Sequence, residues 1–374
     1  MINEQWRDGL RILCVRQDNL GYVLMTTPAF RAMKSTWPNS HLTLLTSSAG
    51  AGIGSYIPDI HSVIRFDVPW VLGEGNNADA VIAMAAEMNR YDFDAAVVFT
   101  VQSQNPLPAA MLCYLAGIPR VLGYCRENPY QLMTDWVPDP EILVATRHEV
   151  ERQLALVETV GCQRPDNLDL QLSLGENDRN SIRQLLESNH INFDRPWLIL
   201  HPGVSEAKRR YPVDQFAQIA QTLIDNHGYQ VVLTGTASEY GLAESIQNQV
   251  GSRAVNLAGQ ITLGQFIALI AEAPLLLANN TGPVHIAAAV QTPVVVVYAK
   301  TNPQHTPWHV PSQVLYIDVP SDLRSRNVLL QQFPEPAGPT ASPEAITRAV
   351  VQLMTQTALT GVGEPKISTQ SLNA

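Results

Sequence analysis

Short apolar runs alternate with longer amphipathic stretches along the whole chain. In the first half the apolar runs Ile12–Val15, Leu42–Leu45, Val63–Phe66, Ala95–Phe99 and Val121–Gly123 read as strands. Between them the helical spacing predicts helices over Val23–Thr36, Ala78–Asn89, Pro108–Ala116 and Arg147–Val160. This alternation argues for βα units around a parallel sheet. The pattern then restarts. Strands are expected at Trp197–His201, Gln230–Thr234, Ala254–Asn256, Leu275–Ala278 and Pro293–Tyr298, with helices at Val213–Asn226, Glu239–Val250, Leu263–Glu272 and Pro283–Val290. Leu275–Ala278 and Pro293–Tyr298 are apolar enough to be central strands covered on both faces.

The restart divides the chain into an N-terminal half over 1–175 and a C-terminal half over 176–354. They join near Gly175–Ser181, after the polar stretch Gln163–Asp169. Residues 355–374 are polar with scattered glycine and read as a flexible tail. No short repeat period is visible. Doubly wound sheets bind ligands beyond the carboxyl ends of their strands, so the loops after Val15, His201, Thr234 and Ala278 carry the candidate chemistry.

The loop after Val15 holds Asp18 and then Gly21, which opens a helix. Amides of a first helical turn favour an anion or polar acceptor, and glycine lets a ligand approach. The alternative is an ordinary tight βα turn. After His201 comes HPGVSEAKRRYP, in which Ser205, Lys208 and Arg209 precede a helix. Arginine beside a cleft grips phosphate oxygens in pairs; a solvated basic loop is the plainer reading. After Leu233 comes Thr234, Gly235 and, further on, Glu239, a carboxylate placed to hold ribose hydroxyls. Ser238 as a helix cap with Glu239 in the first turn explains the same residues. The fourth loop, ANNTGPVHIAAA, is the most informative. Asn280, Thr281 and Gly282 precede Pro283, whose missing N–H is harmless in a first turn. The Ala-rich helix aims its positive end at Thr281 and Gly282, as a diphosphate cradle requires, and His285 sits one turn in. The glycine run GAGIGS at Gly50–Ser55 lacks its third glycine and follows the second strand, so it reads as a loop and not a dinucleotide site.

Composition narrows the classes. The chain has 374 residues, 45% of them hydrophobic, which suits two folded domains. A formal net charge of −10 argues against wrapping nucleic acid and against broad adhesion to anionic lipid. Four cysteines without paired spacing suggest neither a metal site nor a disulfide framework. The first residues lack a signal-peptide pattern, and no apolar run is long enough to span a membrane. A cytoplasmic protein with at most peripheral contact at the inner membrane face is expected.

Together these loops resemble glycosyltransferase family 9, the ADP-heptose:lipopolysaccharide heptosyltransferases. NLGYVLMTTPAFRAMK is similar to the family's N-terminal signature. HPGVSEAKRRYP, LTGTASE, NLAGQITLG and NNTGPVHIAAAVQTPVVVVY are similar to its C-terminal ones. The likeness reaches to about residue 355. It implies a GT-B fold, α/β with two Rossmann-like domains facing a central cleft. The N-terminal domain would bind the acceptor and the C-terminal domain the donor. The implied reaction is inverting transfer of a sugar, heptose in most of the family, from an ADP-linked donor to a glycan or lipopolysaccharide-type acceptor. No cofactor and no essential metal are implied. Carried over by position, Thr281, Gly282 and His285 contact the diphosphate. Arg209 stands where the family has lysine, with Lys208 beside it, and Glu239 falls near the ribose carboxylate.

Two positions depart from that pattern. The family's aspartate base after Leu-Gly is replaced by Tyr22, and the aspartate of its Asn-Asp-Thr-Gly-Pro motif by Asn280. A phenol of ordinary pKa ~10 is a poor base near neutral pH. Asp18 is the candidate substitute base, with a turn-stabilising role as its plainer reading. A nucleotide-sugar-binding protein of the same fold without catalysis is therefore the alternative function. A nucleotide-sugar epimerase is a third reading, and a nicotinamide dehydrogenase is disfavoured by the failed glycine fingerprint. For the acceptor, Gln102–Pro106 and Arg147–His148 are candidates by location.

Overall fold

The computed structural model describes residues 6–72, 78–139, 141, 146–299, 303–319 and 338–360. The chain divides into two compact units, the first ending at Gln171 and the second beginning at Leu172.

The first unit holds β1 (Arg11–Arg16), β2 (His41–Thr46), β3 (Ser62–Arg65), β4 (Ala95–Val98), β5 (Val121–Cys125) and β6 (Asp135–Pro138). They form one parallel sheet in the order β3-β2-β1-β4-β5-β6. The second unit holds β7 (Trp197–His201), β8 (Gln230–Leu233), β9 (Ala254–Asn256), β10 (Leu276–Asn279), β11 (Val294–Ala299) and β12 (Ser312–Ile317). Its sheet runs β12-β11-β10-β7-β8-β9, also parallel. Each sheet thus reverses direction once, between β1 and β4 and between β7 and β10. Those switch points are where adjacent loops part and leave room for a ligand. The central strands are buried on both faces; Leu276, Leu277, Ala278 and Val294 through Val297 are all 0% exposed.

The expected strands and most helices are present, with instructive differences. The helix expected over Val23–Thr36 is two helices, Leu20–Met25 and Thr27–Thr36. Pro28 has no N–H to continue the ladder, and the hydroxyls of Thr26 and Thr27 donate to the carbonyls of Tyr22 and Leu24 at 2.8 Å each. The Gly50–Ser55 segment, expected as a loop, lies largely in a helix over Ser48–Gly54, capped by Ser47. Its glycines serve close packing. A Cβ on Gly50 would collide with Thr46 Oγ1, and one on Gly54 would lie 2.7 Å from Val63 Cγ2. The expected junction near Gly175–Ser181 carries a helix, Glu176–Ser188, that sequence reading missed because only Ile182 and Leu186 on it are buried. The edge strands β6 and β12 were also missed. The last helix, Pro343–Thr360, carries 355–360, which were expected in a tail; residues 361–374 lie outside the described residues. Among the described residues no helix is long and apolar enough to cross a membrane.

A buried ionic network fastens the end of the first sheet. Arg152 is 1% exposed and grips Asp139 with both terminal nitrogens, at 2.8 and 3.1 Å. Its Nε donates to the Thr100 carbonyl at 2.9 Å, and its guanidinium lies over the Tyr124 ring. Removing Arg152 leaves buried Asp139 with Arg126 at 3.1 Å and takes from buried Glu141 a cation 3.7 Å away, so charge is stranded in the interior. Arg152→Met is therefore expected to destabilise the first unit by ~3–5 kcal/mol, read from the denaturant midpoint of its transition. A loss below ~1 kcal/mol would show that the pair is incidental.

Candidate active site

In the second unit, β10, β7 and β8 are neighbours, so the loops that follow them meet at one edge of the sheet. Asn279 ends β10 and is fully buried. Its Nδ2 donates to the Pro202 carbonyl at 2.8 Å, and its Oδ1 accepts from the Tyr211 amide at 3.1 Å. Both ends of the 202–211 loop are thereby fixed to β10. Within that loop Ser205 is exposed, and Lys208 and Arg209 lie in a single helical turn over Ala207–Arg209. Lys208 and Arg209 each pair with Glu206 at 2.7 Å.

The loop after β8 is tied to the one after β7. A Cβ on Gly203 would collide with Glu239 Oε1, so only glycine lets that carboxylate rest on the strand end. Glu239 Oε2 accepts from the Thr236 amide at 2.8 Å and the Thr236 hydroxyl at 3.0 Å. The cap of this turn is Thr236, in a reciprocal capping box, and not Ser238 as the plainer sequence reading had it. Thr234 is buried and its hydroxyl lies 3.0 Å from His201 Nδ1. Gly235 is half-buried and packs against the Glu239 side chain.

The helix after β10 runs Gly282–Val290, with Pro283 in its first turn. Thr281 is its N-cap in extended conformation (φ −152°, ψ 176°) but makes no side-chain capping bond. The positive end of this helix is therefore not closed by its own cap, which suits an anion. Asn280 is 5% exposed and its amide donates to the Val297 carbonyl; His285 is 4% exposed. The structure thus gathers Ser205, Lys208, Arg209, Thr234, Gly235, Glu239, Asn280, Thr281, Gly282, Pro283 and His285 on loops and a helix end at the carboxyl edge of β7, β8 and β10.

Gly21, Asp18 and Tyr22 belong to the first unit, after β1. The amides of Tyr22 and Val23 turn back onto the Asn19 carbonyl at 3.0 and 3.3 Å, which reduces what this six-residue helix offers an anion. Asp18 is 7% exposed and lies 3.3 Å from Arg16 Nε. It also accepts from the Gln104 side chain, and its carbonyl accepts from Ser47 at 2.7 Å. Asp18 thus joins the loops after β1, β2 and β4, as the turn-stabilising reading holds. Arg16 is fully buried, pairs with Glu149 at 2.7 Å, and lies under the Tyr22 ring at 5.1 Å. Of the acceptor candidates, Gln102 is fully buried, and His148 caps the helix Glu149–Glu158 by accepting from the Val150 amide. Asn279, Arg16 and Glu149 were missed by sequence reading, and Gln104 was marked only by location, within Gln102–Pro106; only Asn279 and Arg16 carry a signal, each being the polar residue that ends an apolar strand. Among the described residues no group of three or more His, Cys, Asp or Glu is arranged to hold a metal.

Two parallel sheets, each with a switch point, and a helix end in the second that its own cap leaves open fit one class: a glycosyltransferase of the GT-B fold. The chain belongs to glycosyltransferase family 9 (heptosyltransferase), whose family model matches residues 81–326. Lipopolysaccharide heptosyltransferase 2 of Escherichia coli strain K12 is 29% identical over 315 residues, covering 80% of this chain and 85% of its own. The structure of a family 9 glycosyl transferase from Veillonella parvula superposes with a TM-score of 0.76 at 21% identity, covering 93% of this chain and 98% of that one. That of E. coli ADP-heptose lps heptosyltransferase II gives 0.70 at 24% identity, covering 93% and 100%.

Burial pushes the His201 imidazole down to about 4, against the nearby Glu239 charge, which raises it. A histidine that is neutral when folded and protonated when unfolded withdraws stability as the pH falls from about 6.5 through 4. Each tenfold difference in proton affinity between the two states is worth about 1.4 kcal/mol. His201→Asn should flatten the melting temperature over that window relative to the unaltered protein. Parallel curves for the two proteins would show that His201 titrates normally.

Proposed function

We propose that this chain transfers heptose, with inversion, from ADP-heptose to a lipopolysaccharide-type glycan acceptor. The observation that carries the donor half is the Gly282–Val290 helix end without a side-chain cap, set at the switch point, with Lys208 and Arg209 on the loop that Asn279 ties to the same strand end. In this reading the amides near Gly282 and the hydroxyl of Thr281 receive the diphosphate, with His285 donating from one turn in. Arg209 and Lys208 neutralise its charge, and Glu239 Oε1 receives ribose hydroxyls while Oε2 stays in the capping box. The relatives' names support the sugar, the nucleotide and the acceptor class. The N-terminal domain takes the acceptor, in contact with the membrane at most peripherally.

The proton of the acceptor hydroxyl is the open step. Position 22 holds a phenol over a guanidinium, and Asp18 is engaged by Arg16 and Gln104. These two observations favour the second reading, a donor-binding protein with weak or no transfer. Asp18, the candidate substitute base, would have to take the proton while held by Arg16 and Gln104.

Calorimetric titration without metal separates the donor question from the catalytic one. ADP should bind in preference to UDP, GDP and NAD, and an Arg209→Ala, Thr281→Ala double variant should lose at least about tenfold in affinity, since charge-assisted bonds contribute ~1.5–3 kcal/mol each. Selective binding of NAD would overturn the reading. For catalysis, Tyr22→Asp should raise turnover of ADP-heptose by ~10²-fold or more, the usual worth of a general base. Unchanged turnover would show that the proton is not taken at position 22.

A further inference from the structure

The two cations assigned to the donor phosphate are already held by a carboxylate. Glu206 Oε2 lies 2.7 Å from Lys208 Nζ, and Oε1 lies 2.7 Å from Arg209 Nη2. These are the distances at which charged nitrogens hold phosphate oxygens. A carboxylate and a phosphate cannot occupy the same donor positions together. The contact is also built to be local. The Arg209 amide donates to the Glu206 carbonyl at 2.9 Å, so one turn brings acid and bases together.

The exposure of all three groups says that this carboxylate is replaceable, and two further features bear on the exchange. Glu206 is 43% exposed, and its partners are 26% and 22% exposed. Ion pairs this close to solvent are weakly held. Arg209 Nε is buried and has no hydrogen-bond partner, so its guanidinium keeps a donor in reserve for a further oxygen. Burial would raise the Glu206 carboxyl. The Lys208 hydrogen bond and the Arg209 and Lys208 charges outweigh it and hold the group below the usual carboxylate range, so it is ionised at neutral pH.

We propose that Glu206 is an internal stand-in for the donor's phosphate, occupying Lys208 and Arg209 in the free protein and swinging out when the nucleotide diphosphate enters. With Glu206 in place the three side chains carry a net charge of about +1, and with it turned away the two cations face the ligand alone. The carboxylate thus weakens ADP binding by competition. It also recaptures the cations as product leaves, which speeds release. This inference rests on the donor site proposed above.

The test is ADP titration of the unaltered protein, Glu206→Gln and Arg209→Ala, with circular dichroism to confirm that each is folded. Glu206→Gln should bind ADP about threefold to fivefold more tightly, the scale set by a solvent-exposed ion pair, with slower dissociation. Equal or weaker binding by Glu206→Gln, while Arg209→Ala loses affinity, overturns the stand-in and leaves the donor site standing; Glu206 would then be holding the cations in place for the ligand. Absence of ADP binding in all three proteins overturns the donor site and the stand-in with it.

Discussion

The side chain of Asn279 is fully buried at the end of β10, where it donates to the Pro202 carbonyl and accepts from the Tyr211 amide. A parallel strand that ends beneath a long loop leaves backbone groups that must find partners, and each one left unmet costs ~1–3 kcal/mol. One amide side chain satisfies one group at each end of the 202–211 loop. The loop therefore starts and finishes at fixed places, and Lys208 and Arg209 in its middle are carried on a short tether. The next loop leans on the same frame. Glu239 is anchored by Thr236 and rests on Gly203, so the loops after β7 and β8 hold each other. Loss of the Asn279 amide would loosen both.

The first unit solves the same topological problem with charge. At the end of β1 a fully buried Arg16 lies between two carboxylates, Glu149 at 2.7 Å and Asp18 at 3.3 Å. Buried charges stay ionised only when paired and hydrogen-bonded, and Gln153 adds a 2.6 Å bond to Glu149. This arrangement makes Asp18 part of the frame, since it also receives Gln104 from the loop after β4 and Ser47 from the loop after β2. The Arg16 guanidinium under the Tyr22 ring is an attractive contact. Tyr22 is thus placed as an aromatic partner of Arg16.

Much of this was legible in the sequence because parallel strands buried on both faces read as unbroken apolar runs. Leu276–Asn279 and Val294–Ala299 announce themselves. The edge strands Asp135–Pro138 and Ser312–Ile317 are half-exposed; the first has no such run, and in the second Val314–Ile317 went unread. The helix Glu176–Ser188 has only Ile182, Leu185 and Leu186 as apolar positions, so little of it stood out from the polar stretch around it. Glycine misled in the helix Ser48–Gly54, where low propensity is overridden by the need for the backbone to approach Thr46 and Val63. At the proposed donor site the candidate residues were legible, because they follow strand ends at set offsets. The residues that hold them were not. Asn279 and Glu149 act across 68 or more positions of sequence, and only the fold brings such partners together.

The two units show how one topology is given two chemistries. Both reverse their strand order at the same place, and both put a basic residue near it. In the first unit that base is Arg16, 0% exposed and locked by acids, and a second buried arginine, Arg152, is likewise held by Asp139, while Gln104 and Ser47 add neutral bonds between the loops. In the second unit the bases are Lys208 and Arg209, partly exposed and held by one flexible side chain, Glu206. A cation buried under two carboxylates cannot turn toward an incoming phosphate without stranding charge in a low-dielectric interior. A cation at the surface with one exposed partner exchanges that partner readily. Burial, more than the number of basic residues, therefore separates the two switch points: the second keeps cations able to exchange partners, and the first does not.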